Sequence, residues 1–126
     1  MITGKDMTFP FTKPIDPPPQ ALSLLLDSEE VVAAFATIRD FGVFTNKRII
    51  VADKQGLTGR KIEYYTIPYR SIVIYSMENA GTLDLDLELE LILTGGLHFK
   101  FQFLRGKGVK ESLDRIYRVI TEYVLK

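Results

Sequence analysis

The segment TLDLDLELELIL, residues 82–93, alternates leucine with acidic residues along almost its whole length. Because neighbouring side chains of a strand point to opposite faces, a period of two predicts a strand with one apolar and one charged face. The apolar face comprises Leu83, Leu85, Leu87, Leu89, Leu91 and Leu93, and the charged face comprises Asp84, Asp86, Glu88 and Glu90. If part of this strand lies at a sheet edge, its free backbone groups invite pairing with another chain.

The residues that follow first repeat this alternation and then change period. Beyond the turn at Gly95-Gly96, residues 97–103 alternate again, with a phenylalanine at every second position from Phe99 to Phe103. Further on, apolar residues recur every three or four positions, which is the spacing of one face of an α-helix. They are Val109, Leu113, Ile116, Tyr117, Ile120 and Val124. An amphipathic helix is therefore predicted after the last strand.

Five shorter segments before residue 82 are also predicted to be strands, and they are residues 31–37, 41–45, 48–52, 61–67 and 72–77. Between the second and third of these, Asn46-Lys47 is predicted to form a two-residue hairpin turn in which Asn46 takes a positive φ. Seven antiparallel strands and one amphipathic helix must bury their apolar faces in a shared interior. The predicted fold class is mainly β (α+β), a seven-stranded antiparallel barrel or two orthogonal sheets capped by the C-terminal α-helix.

Residues 1–20 differ from the rest, since they hold five of the six prolines. Proline fixes φ and lacks a backbone donor, so this segment is predicted to be an extended N-terminal arm. Phe9 and Phe11 either anchor the arm on a folded surface or belong to a poorly ordered terminus. Residues 20–26 have helix-forming composition, with Leu22, Leu25 and Leu26 on one face. The predicted organisation is an arm over residues 1–20 and one domain over residues 21–126.

Composition excludes several classes of protein. The 16 basic and 16 acidic residues cancel, which gives no support for nucleic-acid binding. The chain has no cysteine, and so no disulfide, thiol nucleophile or cysteine zinc site. Residues 1–12 lack the apolar core of a signal peptide, and no apolar run approaches the roughly 18 residues of a membrane span. We expect a cytoplasmic location.

Candidate catalytic and metal-binding residues are few. His98, the one histidine, is predicted to point to solvent from the polar face of its strand, without an orienting partner for general-base chemistry. The acidic row from Asp84 to Glu90 could share a hydrated cation, but it lacks the glycine-containing loop of a calcium-binding hand. We interpret the row as a solvated or partner-facing surface, and predict no catalytic residue, no metal site, no cofactor and no enzymatic activity.

The segment GLTGRK, residues 56–61, is a candidate anion site. A glycine-containing loop can hold a phosphate through its backbone N–H groups, and nearby cations would assist. The spacing and the strand-to-helix setting of a P-loop are absent, and a plain hairpin connection also needs glycine. Lys54, Arg60 and Lys61 are the residues predicted to contact an anion or a lipid if this loop binds one.

Charge is separated along the neutral chain. Residues 39–70 hold seven cations against three anions, whereas residues 78–90 hold five anions and no cation. Oppositely charged regions can pair within one molecule or between subunits, and a heterologous contact closes into a ring when its rotation allows. The predicted subunit interface comprises Asp84, Asp86, Glu88 and Glu90 together with Arg48 and Arg70.

Three segments resemble the bacterial PH-domain family. They are RDFGVFTNKRIIVADKQGLTGRK (residues 39–61), IPYRSI (residues 67–72) and ENAG (residues 78–81) with the acidic strand after it. The resemblance covers about residues 21–126, and the arm matches nothing in the family. It implies a PH-like fold of seven strands and a capping helix, no known catalytic activity, ring-like homo-oligomers and an unassigned physiological role. Residues 31–37 hold no Lys or Arg, unlike the first strand of PH domains that bind phosphoinositides.

Two functional hypotheses follow. The first is a non-catalytic PH-like binding or assembly module that forms homo-oligomers through charged strand faces, with another protein as a further partner. The second is a domain that binds phospholipid or an anionic membrane surface through the basic loop at residues 54–61.

Overall fold

The computed structural model describes residues 6–55, 60–79 and 86–126, and its elements are strands with two helices and one 3-10 turn. In chain order they are β1 (Asp6–Phe11), β2 (Lys13–Pro14), α1 (Pro19–Leu22), β3 (Val31–Ala36), β4 (Phe41–Thr45), β5 (Arg48–Gln55), β6 (Lys61–Pro68), the 3-10 turn (Tyr69–Ser71), β7 (Ile72–Asn79), β8 (Asp86–Leu93), β9 (His98–Leu104) and α2 (Val109–Val124). Neither helix is long and apolar enough to cross a bilayer.

The strands form two sheets. Sheet A has the order β1-β9-β8-β7, and sheet B has the order β2-β3-β4-β5-β6. All pairs are antiparallel except β1 with β9, which is parallel. Over the described ranges no strand pairing joins the two sheets, so the closed barrel is wrong and the two-sheet alternative holds. The acidic strand β8 lies inside sheet A, so its described part offers no edge for strand addition.

The main core fills the space between the sheets and α2, as the sequence periods predict. Leu87, Leu89 and Leu91 of β8 are at most 1% exposed, and the three phenylalanines of β9 are equally buried. The apolar stripe of α2 packs on this core through Val109, Leu113, Ile116 and Ile120. Burial of a large apolar side chain is worth roughly 1.5–3 kcal/mol, so this shared interior is what fixes the helix on the sheets. Leu83 and Leu85 lie outside the described residues.

The proline-rich arm forms two strands that sequence analysis did not predict. β1 adds to the edge of sheet A, and β2 adds to the edge of sheet B. Pro10 and Pro14 are tolerated there because an edge strand can lack a donor on its open side. Phe9 and Phe11 are 7% and 3% exposed, so they anchor the arm in the main core. The domain boundary at residue 20 stays a prediction.

The predicted helix over residues 20–26 is wrong in extent. α1 is a single turn, Pro19–Leu22, and Leu22 and Leu26 are 46% and 61% exposed. Ala21 is the buried residue instead, and it packs on the outer face of sheet B beside Phe41. A one-turn helix has little stability of its own, so its packing on sheet B must hold it in place.

The hairpin between β4 and β5 forms at the predicted position, but hydrogen bonds stabilise it and not a positive φ at Asn46. Asn46 does not take a positive φ, because among the described residues only glycines do so. The Thr45 hydroxyl oxygen accepts the N–H groups of Lys47 and Arg48, at 3.0 and 3.1 Å. Asn46 instead exchanges two hydrogen bonds with the backbone of Glu30, which ties the turn to the segment before β3.

Candidate interaction surfaces

The outer face of sheet A carries a cluster of three carboxylates. Glu88 of β8 lies directly opposite Glu78 of β7, and Glu90 is the next outward residue on β8. One carboxylate oxygen from each of the three lies within 4.8 Å of the others. Like charges directly opposite each other destabilise a strand pair, so a positive charge placed beside this cluster would relieve repulsion.

The predicted acidic row is only partly placed. Glu88 and Glu90 are half-buried on the outer face of β8, whereas Asp84 lies outside the described residues. Asp86 begins β8, and its side chain is also outside the described part. Sequence analysis did not include Glu78, because it lies on a different strand and only the register of β7 with β8 brings it to the cluster.

Side chains of β9 contact the acidic cluster. Gln102 donates to Glu88 at 3.2 Å, and Lys100 lies 3.9 Å from Glu90. His98 points outward as predicted, but its predicted lack of partners is wrong. Its Nε2 lies 2.8 Å from Glu90 and its Nδ1 lies 3.2 Å from Asp6 of β1. The histidine therefore links the arm to the acidic face, a role its position in the sequence does not reveal.

Arg48, a predicted interface residue, forms hydrogen bonds with other residues of the same molecule. Its guanidinium binds both carboxylate oxygens of Glu29, at 2.9 and 3.0 Å, and the Glu29 side chain is fully buried. It also donates to the Leu24 carbonyl and to the Thr66 hydroxyl. A planar bidentate pair of this kind fixes the segment before β3 against the β4–β5 hairpin. We therefore leave Arg48 out of the interface.

Glu29 is held in its charged form. Burial alone would raise the pKa of its carboxyl group, but hydrogen bonds from three residues and the Arg48 charge outweigh it and lower the pKa below the ordinary value. The donors are the Arg48 guanidinium, the Thr45 hydroxyl at 2.6 Å and the Leu26 N–H at 3.1 Å. This network is structural, and no pattern in the sequence around Glu29 marks it.

Arg70 is the other predicted interface cation, and it lies in the 3-10 turn before β7. Its side chain is exposed and has no ion pair with any described residue. The neighbouring Tyr69 is fully buried and donates to the Thr45 carbonyl at 2.7 Å, which anchors the turn. Arg70 is thus presented to solvent from a fixed backbone.

The predicted anion-contact residues lie at one end of sheet B. Lys54 near the end of β5 pairs with Ile62, and Lys61 begins β6. Arg60 and Lys61 are exposed, and residues 56–59 of the candidate loop lie outside the described part. The backbone of Lys54 connects to the turn at residues 37–40, donating to Asp40 at 2.8 Å and accepting from Arg39 at 3.3 Å.

That turn carries a feature the sequence analysis missed. Ile38 is 94% exposed at its tip, beside an open cleft of about 530 Å³ lined in part by Lys13, Lys54 and Arg39. An isoleucine in a predicted loop gives no sign of such exposure, because many loop residues fold back onto the core.

Comparison with known proteins identifies the fold. A family model described as the bacterial PH domain matches residues 12–124. The chain belongs to this family. Two proteins of Bacillus subtilis (strain 168) are similar to it: the uncharacterized protein YjqA is 53% identical over 72 residues, and the uncharacterized protein YozO is 28% identical over 102 residues. These alignments span 57% and 81% of this bacterial PH domain. They span 58% of YjqA, less than two thirds of its length, and 84% of YozO.

Solved structures agree with this assignment. The chain resembles a DUF1696 family protein with a pleckstrin-homology domain from Shewanella loihica PV-4, with 35% identity, a TM-score of 0.68, and coverage of 88% and 95% of the two chains. It also resembles a pleckstrin homology domain from Shewanella amazonensis SB2B, with 40% identity, a TM-score of 0.59, and coverage of 80% and 82%. The predicted PH-like fold is confirmed, with β3–β9 and α2 as its seven strands and helix.

Proposed function

We propose that this bacterial PH domain is a non-catalytic module that assembles with copies of itself, the acidic face of one copy binding Arg70 of the next. The observation that carries the proposal is the cluster of Glu78, Glu88 and Glu90 on one sheet face. A guanidinium from a second copy would relieve the repulsion between opposed carboxylates, and bidentate contacts with two of them suit its planar fork.

The contact is heterologous, since a carboxylate cluster meets an arginine elsewhere on the surface. Such contacts form rings when the rotation between copies closes. Glu88 and Glu90 come from a rigid inner strand, and Arg70 comes from an anchored turn, so neither partner loses much backbone freedom on binding. The family match supports a PH-like module, and among the described residues the core between the sheets and α2 is almost wholly apolar.

Charge reversal tests the contact. We expect the variant with Glu88→Lys and Glu90→Lys to need at least about tenfold higher protein concentration for assembly, because like-charge contacts across an interface cost several kcal/mol. Size-exclusion chromatography with light scattering measures this shift, with the 14.3 kDa monomer as the lower limit. Arg70→Glu should act in the same way, and combining it with the two lysines should restore assembly.

Glu111→Lys is the matched control, since Glu111 is an exposed carboxylate on α2 that does not belong to the cluster. A wild-type chain that remains a monomer at micromolar concentration would refute self-assembly. Reversed variants that assemble as well as the wild type would show that these charges are not the contact.

A second candidate function is binding to an anionic membrane surface, and the exposure of Ile38 favours it. An isoleucine that is 94% exposed can enter the headgroup region while neighbouring cations contact anionic lipid. Lys54, Arg60 and Lys61, which would contact the lipid in this case, lie at the same end of sheet B.

Flotation with vesicles of phosphatidylcholine and phosphatidylserine distinguishes this candidate. If it holds, Ile38→Asp and Lys61→Glu each lower the floated fraction several-fold, and raising the salt from 50 to 300 mM does the same, because screening weakens surface attraction. Leu125→Asp, at another exposed apolar residue, serves as the control. Equal flotation with neutral vesicles, or none at low salt, would count against it.

A further inference from the structure

The four sheet edges are not protected equally. β1, β2 and β6 each contain a proline, at Pro10, Pro14 and Pro68, and proline at an edge blocks pairing with another strand. β7 contains no proline, lysine or arginine. It pairs with β8 alone, and no backbone hydrogen bond from another described residue reaches its open side. β7 is therefore the edge most open to strand addition.

Three of the side chains exposed on β7 are apolar, which is unusual for the edge of a sheet. Val73 and Ile74 are 58% and 60% exposed, and Met77 is 36% exposed. Val73 lies where the register with β8 shifts, so the regular part of the edge runs from Ile74 to Asn79. The ligand that best suits an apolar edge with free N–H and C=O groups is an extended polypeptide, because its backbone can pair with both the donors and the acceptors.

A groove runs beside this edge, between β7 and α2. It encloses about 400 Å³ and is lined by Met77 of β7 and by Asp114, Tyr117, Arg118, Thr121 and Glu122 of α2. Its wall is preformed, since Tyr75 and Thr121 share a hydrogen bond of 2.7 Å and the rings of Tyr75 and Tyr117 lie 5.1 Å apart. Tyr75 and Met77 face inward, opposite Leu91 and Leu89. The inward side chains of an added strand would enter this groove.

The outward side chains of an added strand would meet a different surface. They would lie beside Ile74, Ser76 and Glu78, which face outward on β7. Glu78 is exposed, and its carboxylate belongs to the cluster with Glu88 and Glu90. A lysine or arginine beside Glu78 would offset this excess of negative charge, whereas a glutamate there would add to it.

We propose that the open edge of β7 and the adjoining groove bind an extended segment of another protein in which apolar and basic residues alternate. The backbone of the segment pairs with residues 74–79. Its apolar side chains enter the groove against Tyr117, and its basic side chains contact Glu78. This site shares Glu78 with the acidic cluster of the proposed self-assembly contact, but it uses neither Arg70 nor the basic end of sheet B, so the two proposals can fail separately.

The test measures the binding of capped synthetic peptides to the isotope-labelled full chain by amide NMR. The probe is a peptide of alternating valine and lysine. We expect it to shift the amides of residues 73–79 and of α2 near Tyr117. A valine–glutamate peptide, and a valine–lysine peptide with N-methylated backbone on one edge, should bind at least about tenfold more weakly.

Glu78→Lys should weaken binding of the valine–lysine peptide by at least about tenfold, whereas Glu111→Lys should leave it unchanged. Three results would overturn the proposal. They are amide shifts outside β7 and α2, equal binding of the valine–glutamate or N-methylated peptide, and no binding of the valine–lysine peptide at millimolar concentration. Amides of β7 that are already protected from exchange without peptide would also overturn it, because a second copy would then occupy the edge. Light scattering on the same samples separates these results from a failure of self-assembly.

Discussion

Replacing Phe11 with alanine should lower the free energy of unfolding by about 3–5 kcal/mol, as expected for removing a large ring from a packed interior. Phe11 is 3% exposed although it lies in the proline-rich arm. Its ring stacks on Phe101 at 5.8 Å and lies 5.4 Å from Phe103 and 5.7 Å from Phe35. The substitution would therefore leave a cavity bordered by both sheets.

Denaturation by urea, followed by circular dichroism, measures this loss. Ile38→Ala is the control and should change stability by less than about 0.5 kcal/mol, since Ile38 contributes almost nothing to the core. A loss for Phe11→Ala no larger than that of the control would mean that the arm does not contribute to the folded core.

Gly42 provides an independent check on the same contact. A Cβ at this position would lie 2.7 Å from the Cζ atom of Phe11, closer than carbon atoms pack. Gly42→Ala alone should therefore cost about 1–3 kcal/mol. In the Phe11→Ala background the clash is absent, so the same change should be neutral or stabilising, because alanine restricts the unfolded chain more than glycine does. Additive losses would contradict the packing of Phe11 over Gly42.

Replacing Glu29 with glutamine should destabilise the protein by about 3 kcal/mol at neutral pH, because it leaves the Arg48 guanidinium without its anion. Glu29 has a fully buried side chain that binds Arg48 through both oxygens. Glutamine keeps the size of the side chain, so the loss reports charge and hydrogen bonding and not a cavity. Glu30→Gln, at the exposed neighbouring position, is the matched control and should change stability little.

The effect should depend on pH. The folded-state pKa of Glu29 lies below its ordinary value, so the unfolded chain takes up the proton first as the pH falls. The stability contributed by the charged carboxylate is complete above the unfolded pKa of about 4.3 and is lost as the pH falls through the folded pKa. The difference between the wild type and Glu29→Gln should thus shrink from pH 7 to pH 3. A difference that stays constant over this range would exclude the charge of Glu29 as its cause.

Elements with a clear hydrophobic period could be predicted from the sequence. The helix over residues 109–124 has the predicted bounds, and β4 spans residues 41–45 as predicted. All five residues of β4 are buried, and its apolar composition marked it. In α2 one side chain in three or four is buried, and in β9 one in two, so these patterns are visible without a structure. The outward placement of Glu88 and Glu90 was predictable for the same reason.

The remaining features depend on contacts between distant residues. β1 does alternate, with Met7, Phe9 and Phe11 on its inward face, but its proline argued against a strand. β2 is only two residues long, so pairing with β3 alone makes it a strand. Arg48 was assigned to the surface because charged residues are usually exposed, yet Glu29 lies 19 residues away in sequence and binds it in the interior. Glu78 joins the acidic cluster only through the register of β7. β7 is an edge of sheet A because, within the described parts of the chain, β8 is its one partner strand.

The parallel pairing of β1 with β9 also bears on how the chain folds. Asp6 lies beside His98, a separation of 92 residues, so β1 cannot find its place until almost all of the domain has been synthesised. Loops of this length close at an entropic cost that must be met before any contact forms, and such topologies fold slowly. On a ribosome, Phe9 and Phe11 would emerge early and remain in water for most of translation. During that interval these exposed rings are a point at which an incomplete chain can aggregate.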